Sequence, residues 1–184
     1  MTDEFSSGDH AGVTDDQALR ALRALAHPLR LQLLSLLTGQ ASSAAEAARV
    51  VGATQANVSY HLRVLQAAGL LEVVERQAVR GGLAVRYRHV PQRARTTDRA
   101  DPDDVGAFVG ALCAELERRV TDRDKALPGV FSDAELWVAP REWEAFLEVL
   151  RSGSLRLHSA ARPAGSPGTV RTSTTVAAFR MRRA

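Results

Sequence analysis

The sequence predicts an α+β chain, mainly helical, with one β-hairpin in its first half and a helix plus a small strand–helix–strand extension in its second. Three observations predict it. Leucines and valines recur three and four residues apart in successive stretches, the spacing of one helix face. Between Leu71 and Val90 that spacing gives way to two Val-rich runs flanking Gly81-Gly82. After residue 100 the helical spacing returns, and β-prone runs bracket the last helical stretch.

The acidic segment 1–14 has no apolar periodicity and is expected to be disordered. From Asp15, Leu19, Leu22 and Leu25 mark a first helix, ended by His27-Pro28 because proline disfavours helix in the residue before it. Pro28 suits the first turn of a second helix, about Pro28 to Leu37, dense in leucine. Ser42-Ser43 can start a short third helix, Ala44 to Val51, with Glu46 near its positive end. Gly52-Ala53-Thr54 is a tight turn that ends in a capping residue. A fourth helix, Gln55 to Ala68, stops at Gly69. Val58, Leu62 and Leu65 form its apolar face; Gln55, Asn57, Ser59, Tyr60 and Arg63 lie opposite.

Leu71 to Val79 and Ala84 to Val90 read as strands joined at Gly81-Gly82, where positive backbone angles are cheap. Arg76, Arg80, Arg86 and Arg88 stud this hairpin. A polar linker follows, and then an amphipathic helix, Asp103 to Val120, with Val105, Phe108, Val109, Leu112 and Leu116 on one stripe. Its acids are expected on a solvated face, and Cys113 beside Leu112 as a small buried hydrophobe. Glu135 to Ala139 and Thr169 to Met181 are strand candidates able to pair. Between them a helix opening at Pro140 carries Trp143, Phe146, Leu147 and Leu150.

Charge is segregated. Residues 20–95 carry a net +8 and residues 96–150 a net −7, although the whole chain is only +3. A basic segment of this kind points to a polyanion partner. One cysteine excludes an internal disulfide framework and any multi-Cys zinc site. No run approaches the length of a membrane span, and the acidic start is unlike a signal peptide, so the expected compartment is the cytoplasm with no membrane partner. No phosphate-binding glycine loop, HExxH or G-x-S-x-G motif is present, so the chain is not read as an enzyme.

The stretches LAHPLRLQLLSLL (25–37), TQANVSYHLRVLQAAGLLE (54–72) and VRGGLAVRYRHV (79–90) resemble the ArsR family of bacterial transcriptional regulators. The resemblance covers about residues 15–90. It implies a winged helix-turn-helix over 15–95 and a C-terminal dimerisation region, with room for an effector, over 96–184. It also implies a homodimeric, sequence-specific DNA-binding regulator, taken as a repressor, with double-stranded DNA and a second copy as partners. The expected DNA-binding residues are Gln55, Asn57, Ser59, Tyr60, His61, Arg63, Arg80 and Arg86. His61 is read either as a phosphate donor or as packing between helices. The expected dimer contacts are Leu19 and Leu22 with the stripe Val105, Phe108, Val109, Leu112 and Leu116. The rival reading is a winged helix that binds a protein partner instead of DNA.

Many relatives sense metal, and here the pattern departs from theirs. The third helix, AAEAARVV, holds neither Cys nor His, and the helix after the hairpin has acids but no His. A soft-metal site needs converging Cys or His, so no metal and no cofactor are expected. Trp137, Trp143, Phe146 and Phe179 supply either a small core or a pocket for a small-molecule effector.

Overall fold

The computed structural model describes residues 15–79, 82–90 and 100–182. The N-terminal segment 1–14 and Arg80 lie outside them. Helix α1 runs Asp15–Leu25 and α2 runs Pro28–Gly39. His27 caps α2: its Nδ1 accepts the Leu29 backbone N–H at 3.1 Å, and Pro28 fills the first turn, where no backbone donor is missed. Strand β1 (Ser42–Ser43) is only two residues long, and Ser43 also caps α3 (Ala44–Val51). Ser43 N–H donates to Glu46 Oε2 at 2.7 Å while Glu46 N–H donates to Ser43 Oγ at 3.3 Å, a reciprocal capping box.

Gly52 ends α3 in the left-handed region (φ 68°), where any side chain would be strained. Thr54 then caps α4 (Gln55–Ala67), its hydroxyl accepting the Asn57 N–H. Strands β2 (Leu71–Val79) and β3 (Gly82–His89) form the expected antiparallel hairpin, with an irregularity at Val73/Glu75. The strand β1 was not anticipated. It adds to β3, pairing Ser42 with Tyr87 and Ser43 with Arg86, so the sheet order is β1-β3-β2.

One core serves these elements. Leu33 and Leu37 of α2, Ala47 of α3, and Val58, Leu62 and Leu65 of α4 are wholly buried together. Helix α5 (Pro102–Thr121), capped by Asp101, packs across α1 and α2. Three polar ties hold it, one of them from Arg119 to the Ser35 hydroxyl of α2 at 3.1 Å. Asp104 meets Arg23 of α1 at 2.8 Å, and Glu115 accepts Gln32 Nε2 of α2 at 3.0 Å. Glu115 is 2% exposed, so the expectation of a solvated acidic face fails there. Its carboxylate is sustained inside by Arg118 (2.6 Å) and Arg119 (2.8 Å). Cys113 also departs from expectation: it is exposed.

Helix α6 (Pro140–Ser159) opens at Pro140 as expected. The strands expected on either side of it do not form: 135–139 and 169–181 carry no ladder. Their composition is β-prone, but a strand exists only where a partner satisfies its backbone, and among the described residues neither run pairs in the sheet. Trp137 is 85% and Phe179 72% exposed, and α6 buries none of its residues. The segment after α6 does touch the helical body at Gly39, where a Cβ would stand 2.6 Å from the Arg162 carbonyl oxygen.

Candidate nucleic-acid interface

The α3–turn–α4 unit sets α4 with one face in the core and one outside. Val58, Leu62 and Leu65 are at 0% exposure, and this fixes the rotation of the helix about its axis. Gln55, Asn57, Tyr60 and Arg63 are consequently exposed and Ser59 half-buried, all along the outer face or at the N-terminal end. Arg63 folds back so that its Nε donates to the Ser59 carbonyl at 3.3 Å, which lays the guanidinium along the helix. The first turn of α4 opens to solvent with only the Asn57 N–H taken by the Thr54 cap, so its remaining N–H groups favour an anion.

His61 is not on that face. It is 5% exposed and lies against His27, ring centroids 4.5 Å apart, with no hydrogen-bond partner at Nδ1. Of the two readings of His61, the buried position is that of packing between helices. The spacing 58, 61, 62, 65 is itself i, i+3, i+4, i+7, so the apolar stripe already contained it. Burial, and then the nearby charges of His27 and Arg30, hold its pKa below the ordinary histidine value.

Arg86 departs from expectation as well. Its Nη1 donates to Glu46 Oε1 at 2.9 Å and its Nη2 to the Ala41 carbonyl at 2.7 Å, and Glu75 lies 3.6 Å from Nε. The side chain clamps β3 to the start of α3 instead of facing outward. Glu46 is held below the usual carboxylate range, first by the Ser43 backbone N–H and then, against burial, by the Ser43 hydroxyl and Arg86. Arg49 at the end of α3 is an exposed cation, and so are Arg76 and Arg88, which the sequence put on the hairpin without a DNA-binding role. The charge count over 20–95 contained them.

On α5 the expected stripe divides. Val105, Val109 and Leu116 are each about 40% exposed, and Val120 (46%) extends the row by one turn. Phe108 and Leu112 turn instead toward Leu31 and Leu34 of α2, where they line a cavity. Leu19 and Leu22 of α1 are half-buried. Among the described residues no three His, Cys, Asp or Glu side chains converge as a metal would require. No helix among them is long and apolar enough to cross a membrane.

Residues 25–74 match the family model of a helix-turn-helix domain. No curated protein matches the chain. Among solved structures, a crystal structure of a possible transcriptional regulatory protein from Mycobacterium bovis (fragment 1–100) aligns at 27% identity, over 59% of this chain and 94% of that one, with a TM-score of 0.36. A solution structure of a homodimeric winged helix-turn-helix DNA-binding domain from the same organism, described as a possible ArsR-family transcriptional regulator, aligns at 27% identity over 61% and 90%, TM-score 0.36. A crystal structure described as a possible transcriptional regulator for arsenical resistance aligns at 26% identity over 61% and 100%, TM-score 0.31. Residues 25–74 of this chain are thus a helix-turn-helix domain, and the β2–β3 hairpin that follows α4 makes it a winged one.

Proposed function

We propose that the chain is a cytoplasmic, homodimeric, ArsR-like transcriptional regulator that binds duplex DNA through α4 and the wing, and that it acts as a repressor. The observation that carries this reading is the division of α4. A wholly buried apolar face fixes the helix, and on the opposite face Gln55, Asn57, Tyr60 and Arg63 are exposed and Ser59 half-buried. A helix about 10–12 Å across enters a major groove of about 12 Å, where amide, hydroxyl and guanidinium groups meet base edges. Arg80, which the sequence puts between the two wing strands, and Arg49 in the last turn of α3 are assigned to phosphates. His61 and Arg86 are assigned to holding the fold.

Residues 15–95 form the DNA-binding unit and 96–184 the dimerisation and effector region. The exposed row Val105, Val109, Leu116 and Val120 supports a contact between two copies along α5, together with Leu19 and Leu22. Repression follows from occupation of a promoter by a compact dimer. The test is selection of bound duplexes from a random pool, with the wild type beside Gln55→Ala and Tyr60→Ala. A pseudo-palindromic motif is expected from the wild type. Each variant should lose preference at particular positions, at a cost of about 1–3 kcal/mol per lost base contact. A pool that yields no motif from a folded protein sinks the reading in favour of a protein-binding winged helix.

A further inference from the structure

A cavity of about 220 Å³ lies where the C-terminal extension meets the winged helix, between α2, the end of β3, α5, α6 and residues 174–176. Its hydrogen-bonding character is fixed by its surroundings. Thr38 gives its hydroxyl proton to the Leu34 carbonyl at 2.8 Å, so the 2.7 Å contact between Thr38 Oγ1 and His89 Nδ1 is a donation from the ring. His89 Nε2 is left as an acceptor. Burial, and then His158 nearby, push the His89 pKa down to about 4, so the ring is neutral at pH 7.

His158 stands across the cavity with ring centroids 6.4 Å apart. Its Nδ1 lies 2.8 Å from the Ser154 carbonyl, which can only accept, so in its uncharged form this ring also presents Nε2 as an acceptor. The charged wall is internally paired: Arg119 donates to Glu115 and Ser35, and Glu115 also takes Arg118. Glu115 accepts four hydrogen bonds, from Gln32, Arg118 and Arg119, which leaves a cation no free carboxylate. Leu31, Leu34, Phe108 and Leu112 give it one apolar side, and Thr174, Thr175 and Val176 close it from the tail.

We propose that this cavity binds a small planar aromatic molecule carrying one hydrogen-bond donor, of the phenol class. The hydroxyl donates to His158 Nε2, and the ring lies on Leu34, Phe108 and Leu112. An apolar cavity of about 150 Å³ accepts benzene, so this volume suits one substituted ring. Such a ligand would join α6 and the tail to α2, α5 and the base of the wing. Its role as an effector rests on the DNA-binding reading, but the binding itself does not.

The test is calorimetric titration of the full chain, without DNA, using phenol and its isostere toluene. Phenol is expected to bind one per chain and toluene at least fivefold more weakly. His158→Phe should weaken phenol about five- to tenfold, the loss of one hydrogen bond. His158 sits on a helix with no buried residue, so its variant keeps the fold. The proposal is overturned if phenol does not bind, if toluene binds equally well, or if His158→Phe binds phenol like the wild type. Because the titration holds no DNA, such a failure leaves the DNA reading standing; a chain that takes phenol but selects no duplex fails only the latter.

Discussion

His27 and His61 stack at a 48° tilt, 4.5 Å between ring centroids, at the junction where the α1–α2 corner meets α4. One ring caps α2 and the other stands at the middle of α4, so the pair ties the α1–α2 corner to that helix. Both are held below the ordinary histidine pKa of 6.5: His27 by burial and then Arg30, His61 by burial and then His27 and Arg30. A proton on either ring would place a cation beside Arg30 in a site that excludes water.

The first prediction concerns pH. The unfolded chain takes up protons on these histidines near 6.5, before the folded chain does. Stability is therefore complete above that value and falls as pH drops from about 6.5 toward 4, where His89 also titrates. Urea midpoints measured between pH 7.5 and 5 should decline, and His61→Phe should flatten the decline. A midpoint that rises on acidification would contradict the sign.

The second concerns Glu115. Burial alone would raise its pKa, but Arg118, Arg119 and Gln32 outweigh burial and hold it below the usual range. Removing the carboxylate leaves two guanidinium groups and an amide without their shared acceptor. Glu115→Ala should cost about 1–3 kcal/mol in chemical denaturation, the loss of a buried acceptor whose arginine donors can partly turn to water. A loss under about 1 kcal/mol would mean that α5 does not depend on this tie.

The third separates two arginines. Arg63 is exposed on α4, and Arg86 is already engaged by Glu46 and Ala41. In a log–log plot of DNA affinity against salt, Arg63→Ala should reduce the slope by about one unit. Arg86→Ala should leave the slope alone and lower the melting temperature instead. Equal slope changes for both would place Arg86 on the phosphate backbone after all.

The fourth concerns assembly. Val109→Asp puts a charge into the exposed α5 row, where an unpaired charge in a contact is costly. Sedimentation should show a monomer, with DNA affinity falling in step because one half-site supplies only part of the contacts. A dimeric Val109→Asp protein would shift the contact to Leu19 and Leu22 or to α6.

Helices α3 and α4 were legible because caps and spacing agree there. Ser43, Gly52 and Thr54 punctuate the chain where the apolar periodicity starts and stops, so local chemistry and core demand give one answer. Arg86 was not legible, because its partners Ala41 and Glu46 are forty or more positions away and arginine in a strand looks the same whether it is clamped or free. Glu115 was misjudged for the same reason: its acceptor role depends on Gln32, far off in sequence. The runs at 135–139 and 169–181 show the limit of composition. Valine and aromatic content states that a strand would be tolerated, while a strand itself requires a second backbone.

Gly39 sits at the end of α2 with the Arg162 carbonyl pressed where its side chain would be. One methyl group there, as in Gly39→Ala, would have to move backbone. Position 39 is thereby a gauge of cooperation between the two halves of the chain. If the extension serves the winged helix, no residue but glycine is admissible at this seat; if the halves act separately, the site is free to drift.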